Sequence, residues 1–215
     1  MHPNIFISQI ILNHFRSHHN FSINTSSKNI VLYGENGAGK TNILESISLL
    51  SPGRGLRNAK GEEIIKNKSG TNYALTAEVN FNKSLVKIQK THENKNIQRS
   101  LLLIDDEKAK VGDLLNYLRV IWITPIMEKI MLQSNSERRN FFDRLIFNIE
   151  KNHLESFTGF NKFVKERLYI LKSKNADSSW LTHIETKIAK YAYEIITFRK
   201  ETIGKINANL SIISK

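Results

Sequence analysis

The chain has 215 residues, 40% of them hydrophobic and 24% charged, with no cysteine. That composition is globular rather than disordered, and it excludes disulfide frameworks and thiolate metal sites. No apolar run reaches the roughly 18 residues that suggest a membrane span. The formal net charge of +12 points to a polyanionic partner, although a soluble basic protein rich in Lys, Asn and Ile has the same balance.

The N-terminal stretch MHPNIFISQIILNHFRSHH lacks a basic start and a small-residue cleavage site, so it reads as a strand rather than a secretory leader. Together with the absence of cysteine, this fits a cytoplasmic protein. Alternating apolar and polar positions predict strands over Phe6–Leu12, Ile30–Tyr33, Tyr73–Phe81, Ser84–Lys90, Ile97–Ile104 and Arg119–Ile123. Asn82-Lys83 predicts a tight hairpin between two of them. One helix interrupts this part, running from a glycine-rich loop through Leu50 with Ile43, Leu44, Ile47 and Leu50 on one face.

From about residue 126 the pattern becomes helical. Ile126–Leu132, Glu137–Asn148 and a stretch from His153 to Ser173 carry apolar residues at three- and four-residue spacing. A polar turn over Asn175–Ser179 follows, with Asp177 or Ser178 as the expected N-cap. The last segment repeats at Leu181, Ile184, Ile188, Tyr191, Ile195 and Phe198. The phase then slips by one, to Ile196, Ile203, Ile206, Leu210 and Ile213. Such a slip favours helix packing within a domain over a long coiled coil. Residues 1–125 are therefore expected to form an α/β lobe, and residues 126–215 a helical domain.

The strongest chemical signal is Gly34-Glu35-Asn36-Gly37-Ala38-Gly39-Lys40-Thr41, which matches G-x-x-x-x-G-K-[ST] without a gap. Glycines let the backbone take positive φ and turn several N–H groups towards one point, making an anion nest. The helix that starts at the loop adds the positive end of its dipole. Lys40 can reach β- and γ-phosphate oxygens, and the Thr41 hydroxyl can take one position on Mg²⁺, which favours oxygen ligands. ATP and Mg²⁺ are the cofactors this loop calls for.

Around the loop, HFRSH, GENGAGKTNILESISLLSPGRGLR, VIWITP, SERRNFFDRLI, KERLYILK and Trp180-Leu181, in that order, resemble the bacterial RecF family of SMC-like, ABC-type ATPases. The resemblance runs from about residue 5 to the last residue. It implies an α/β fold: a P-loop ABC-type ATPase lobe carrying a β-sheet, joined to a helical lid domain, with the C-terminal part of the ATPase domain absent from this chain. It also implies an ATP-dependent DNA-binding protein of recombinational repair and replication. Such a protein recognises gapped DNA or single-strand/duplex junctions without base specificity. It helps load the recombinase with the partner proteins RecO and RecR, and forms an ATP-dependent homodimer. By position, Arg54 and Arg57 fall where SMC-like ATPases place an arginine loop that senses DNA or phosphate, or they are ordinary solvated arginines after a helix. Arg16 matches a basic position near the nucleotide, or is a simple strand-end arginine. Arg138, Arg139, Phe141, Phe142 and Asp143 match a helical-domain motif, for which an intramolecular salt bridge or domain packing is expected over DNA contact.

A Walker B strand is suggested by Leu101-Leu102-Leu103-Ile104-Asp105-Asp106-Glu107, but an ABC-type chain places Walker B after the helical domain. A strand ending in a polar hairpin turn is the simpler expectation. The Q-loop should fall at Trp122–Glu128, where Ile126 occupies a usually polar position. No LSGGQ-like stretch and no later strand for Walker B occur in the sequence. The chain is thus expected to cover the N-terminal part of a longer pattern, and to bind ATP weakly with negligible hydrolysis in isolation. A truncated copy acting only through protein–protein contacts is the alternative. A small P-loop kinase fits poorly, because hairpins and not an arginine-rich lid follow the loop.

Overall fold

The computed structural model describes residues 5–65, 72–82, 84–94, 98–172 and 178–213. The chain divides into two compact units, Met1–Trp122 and Ile123–Lys215. Among the described residues, the first unit carries one sheet with strand order β2-β1-β3-β4-β5-β6, every neighbouring pair antiparallel. The strands are β1 (Ile5–Phe15), β2 (His18–Asn24), β3 (Asn72–Phe81), β4 (Ser84–Asn94), β5 (Gln98–Ile104) and β6 (Glu107–Lys108). The two-residue connection in the register Phe81↔Ser84 makes a hairpin at Asn82, which has φ 51°; Lys83, its second residue, lies outside the described residues, as does Ile97.

Period-two burial explains the sheet's hold on the core. Tyr73, Leu75, Ala77 and Val79 of β3 are all buried on one face, beside Leu12 and Phe15 of β1 and Ile88 of β4. Against this face pack Leu49 and Leu50, at the end of helix α1 (Lys40–Ser48), Ile64 of the short helix α2 (Gly61–Ile64), and Leu114 of a 3₁₀ segment, Val111–Asn116. Each large side chain so buried contributes about 1.5–3 kcal/mol.

Two expected strands are not formed. Residues 30–33 and 119–123 have no sheet partner among the described residues. In 30–33 Val31 and Tyr33 face outward, each more than four-fifths exposed, whereas in 119–123 Ile121 and Ile123 are exposed while Val120 is buried in the core with Trp122 packed against it. An apolar run becomes a strand only where a neighbour takes its N–H and C=O groups. Conversely β2, with His18, His19 and Asn20, was not expected, since its polar composition hides a strand that pairs Asn13↔Asn20 and Ile10↔Ile23 with β1.

The second unit holds a 3₁₀ stretch, Pro125–Leu132, with a kink at Lys129, and helices α3 (Asn135–Phe147), α4 (Lys151–Lys172) and α5 (Ser178–Ile213). Helix α3 begins two residues before the expected Glu137, because Ser134 caps it and Glu137 returns the bond to the Ser134 N–H. Helices α4 and α5 run antiparallel: Ser156 pairs with Glu194, Gly159 faces Tyr191, and Arg167 meets Glu185. The expected cap Asp177 and the turn before Ser178 lie outside the described residues. At 36 residues α5 is one unbroken helix, about 54 Å long at 1.5 Å per residue.

The phase slip read along α5 does not displace its buried stripe. Burial continues from Ile195 to Thr202, while Ile196, Ile203 and Leu210 are half exposed. The stripe keeps its helical spacing by taking a threonine and continues to half-buried Ile206, while Ile196 and Ile203 lie outside it. Among the described residues no helix is long and apolar enough to cross a membrane.

Candidate functional site

The glycine loop is built as a left-handed nest. Gly34, Gly37 and Gly39 have φ of 142°, 87° and 91°, values that L side chains rarely adopt. Gly39 is the N-cap of α1, and its carbonyl accepts from the N–H groups of Asn42 (2.9 Å) and Ile43 (3.2 Å). Space requires glycine there as well: a Cβ on Gly39 would stand 2.6 Å from the His18 ring and 3.0 Å from Ser17. By contrast, a Cβ on Gly34 or Gly37 would meet nothing within 4 Å, so the cradle is open on that side. A cavity of about 300 Å³ is lined by Asn36, Gly37, Gly39, Lys40, Thr41 and Arg57, with Asn42.

Lys40 folds back over the loop, its ammonium donating to the carbonyls of Gly34 (2.7 Å) and Glu35 (2.6 Å). Those carbonyls are neutral acceptors, and an ammonium forms stronger charge-assisted bonds to phosphate oxygens. The loop residues Gly34, Glu35, Asn36, Gly37, Ala38, Gly39, Lys40 and Thr41 thus lie together, with Lys40 and Thr41 opening the helix at the cavity wall. They suit a polyphosphate: glycine backbone, one ammonium, one hydroxyl and a helix N-terminus converge. Thr41 offers a hard oxygen to Mg²⁺, and no cluster of three or more His, Asp or Glu suited to a metal occurs among the described residues.

Behind the loop lies a residue that sequence reasoning missed. Glu45 of α1 is fully buried. Arg16 donates to it through Nε (2.9 Å) and Nη2 (2.6 Å), and Arg57 through Nη1 (2.8 Å). Arg16 also donates to the Glu63 carbonyl (2.5 Å), and Arg57 to Asn42 Oδ1 (2.8 Å). Two arginines expected at phosphate or DNA are therefore held on one buried carboxylate, and of the two only Arg57 also lines the loop cavity. The face expected on α1 differs in the same way: Leu44 is half exposed, while Glu45, Ser46 and Ser48 are buried. The clue was available in the acidic residue one position from the apolar face, five residues beyond Lys40. Burial and the nearby Glu45 charge push the Tyr73 hydroxyl up to about 12.

Arg54 is placed elsewhere. It lines a second cavity with Lys60, Tyr73 and Lys90 rather than the loop. Asp105 and Asp106 form the turn between β5 and β6, both with positive φ, in the register Ile104↔Glu107. This is a type I′ hairpin. Asp105 Oδ1 accepts from the Lys87 N–H (2.8 Å), and Asp106 pairs with the Lys87 ammonium (3.1 Å). Both carboxylates thus have a structural role in the turn. In the Q-loop stretch the Ile126 side chain lies outside the described residues.

In the second unit Asp143 of the ERRNFFDR motif is buried and joins three helices. It accepts from Arg199 of α5 (2.8 and 2.6 Å) and lies 3.0 Å from Nε2 of the buried His153 of α4. Burial raises its pKa, but hydrogen bonds from His153 and Arg199 and their charges outweigh burial, so its carboxyl titrates below the ordinary range. Arg138 bonds Asn135, one residue beyond the Ser134 cap of its own helix, and Arg139 lines a shallow cavity with Phe142, Arg199 and Ile203.

A family model described as the RecF/RecN/SMC N terminal domain matches residues 6–127. The DNA replication and repair protein RecF of Rickettsia akari is 35% identical over 206 residues, covering 93% of this chain and 55% of that protein. The RecF of Caulobacter vibrioides is 34% identical over 206 residues, covering 91% and 53%. Among solved structures, the recombination mediator protein RecF with ATP, of the RecFOR pathway, superposes with a TM-score of 0.83 at 26% identity, covering 94% of this chain and 54% of that one. The chain spans about half the length of the relatives it matches. It belongs to the RecF/RecN/SMC N-terminal domain family, as a relative of the N-terminal portion of bacterial RecF.

Proposed function

We propose that this chain supplies the ATP-binding and DNA-binding portion of a RecF-type protein of DNA replication and recombinational repair. The observation that carries the reading is the Gly34–Thr41 nest, with Lys40 poised on two carbonyls at the start of α1. Bound ATP with Mg²⁺ would supply phosphate charge and a hydrolysable anhydride. The chain's own residues do the binding: the loop N–H groups and α1 orient the phosphates, Lys40 exchanges carbonyls for phosphate oxygens, and Thr41 offers its hydroxyl to the metal. Arg57, also on the cavity wall and partly exposed beside its bonds to Glu45 and Asn42, is a second cation placed to meet an added phosphate.

The DNA part rests on the net charge of +12 and on the similarity to RecF proteins. Gapped or junction DNA is the substrate we infer, held through phosphates rather than bases. RecO and RecR as partners, help in loading the recombinase, an ATP-dependent homodimer and a cytoplasmic location complete the proposal. Steady-state ATP turnover by the isolated chain is expected to be negligible. The test is fluorescence titration with a labelled ATP analogue and, separately, with labelled gapped DNA across a salt series. Saturable nucleotide binding and DNA affinity that falls steeply with salt support the reading. Absence of both leaves the chain a protein-interaction module only.

A further inference from the structure

Asn36-Gly37, in the middle of the phosphate loop, is the one Asn-Gly pair in the chain. An asparagine cyclises when the nitrogen of the next residue reaches its side-chain carbonyl carbon, and a glycine, without a Cβ, leaves that approach unhindered. A fold normally prevents this by holding both groups in hydrogen bonds, and this loop does not. Asn36 and Gly37 are exposed, and among the described residues neither the Asn36 amide nor the Gly37 N–H has a hydrogen-bond partner. Gly37 also borders open space, since a Cβ there would meet nothing within 4 Å.

Asn42, on the wall of the same cavity, is the contrasting case. Its Nδ2 donates to Ser17 Oγ (2.7 Å), its Oδ1 accepts from Arg57 (2.8 Å), and the N–H of Ile43 is held by the Gly39 carbonyl (3.2 Å). Helical backbone and a stiff β-branched neighbour keep its reacting atoms apart. Charge adds to the difference. Lys40 and Arg57 line the cavity with Asn36, against Glu35 as the acidic neighbour in the loop. Their excess of positive charge favours the anion that forms when the Gly37 nitrogen loses its proton.

We infer that Asn36 is a site of non-enzymatic deamidation that turns the phosphate loop off, and that a bound nucleotide protects it. Hydroxide takes the Gly37 N–H proton, and the nitrogen attacks Asn36 Cγ. The N–Cγ bond forms, the Cγ–Nδ2 bond breaks, and Nδ2 leaves as ammonia, taking a proton from the water just made. A second water then opens the cyclic imide: cleavage at Cγ gives aspartate, and cleavage at the main-chain carbonyl gives isoaspartate. Either product puts a carboxylate beside Glu35 in a nest that must receive phosphate. Isoaspartate also lengthens the backbone of the loop. The protective half rests on the nucleotide-binding reading above: a phosphate oxygen that accepts from the Gly37 N–H withdraws the attacking nitrogen.

The experiment ages the full chain at mildly alkaline pH with and without Mg²⁺ and ATP, follows Asn36 and Asn42 by peptide mapping with mass spectrometry, and measures ATP affinity before and after by calorimetry. Conversion is expected at Asn36 and not at Asn42. ATP at about ten times its Kd should slow it about tenfold, in proportion to the empty fraction. Asn36→Asp should bind ATP about tenfold more weakly than fresh wild type, and Asn36→Gln should keep on ageing whatever affinity it starts with. Melting curves confirm that both variants fold. If Asn36 converts no faster than Asn42, the site is overturned while the nucleotide reading stands. Equal rates with and without ATP, in a protein that binds ATP, overturn the protection alone. If Asn36→Asp binds as tightly as wild type, the loss of function is overturned. If wild type binds no ATP, the nucleotide reading and the protection fall together, whereas conversion at Asn36 still supports the modification site.

Discussion

Glu45 is the residue on which the loop's surroundings turn. A carboxylate with no exposed surface stays charged in a core only when paired, and here two guanidinium groups, from the β1–β2 turn and from the loop after α1, supply the pairing. Glu45→Ala should lower stability by about 3 kcal/mol, measured by urea unfolding. Its larger signature is weaker nucleotide binding, since Arg57 and Asn42 lose their anchor beside Lys40. Arg16→Ala should destabilise for the converse reason, leaving Glu45 with Arg57 alone. Tyr73 gives a pH prediction at the same scale. Its folded pKa of about 12 lies above the ordinary value of 10.0, so its contribution is complete below pH 10 and is lost as pH rises towards 12. Ultraviolet titration and melts of Tyr73→Phe check this: the variant should lose stability less steeply over that window.

At the scale of elements, what could be read ahead was what repeats locally. Tyr73–Phe81 and Ser84–Lys90 were legible because their alternation is the burial pattern itself, and the glycine loop because its chemistry is contiguous. Residues 30–33 and 119–123 have the same composition but no ladder among the described residues, and strand formation depends on a neighbour that composition does not disclose. Arg16, Glu45 and Arg57 are far apart in sequence, and only the fold brings them to one point. Asp143 is the corresponding case in the helical unit, tied to residues 10 and 56 positions away. Its depressed pKa means that its stabilisation is present above the unfolded value near 4 and is lost as pH falls through the folded value. Asp143→Asn should therefore melt lower than wild type at pH 7, with the gap closing in acid. A gap that persists unchanged at low pH would show that the carboxylate charge is not what joins the three helices.

For the whole molecule, an antiparallel sheet unit carries the phosphate loop, and a helical unit carries the motif residue Asp143. The sheet unit's core depends on the alternation in β3, so Leu75→Ala, at a fully buried position, should cost about 2–5 kcal/mol and lower nucleotide affinity only through unfolding. The central claim is that the Gly34–Thr41 nest holds a nucleotide triphosphate through Lys40. Calorimetric titration of ATP with Mg²⁺ into wild type and Lys40→Ala, at matched folded fraction, tests it most directly. The account predicts saturable binding in wild type and at least a tenfold loss in the variant, as expected when a charge-assisted bond worth about 1.5–3 kcal/mol is removed. Equal affinity in the two proteins, or no binding in the folded wild type, would contradict it.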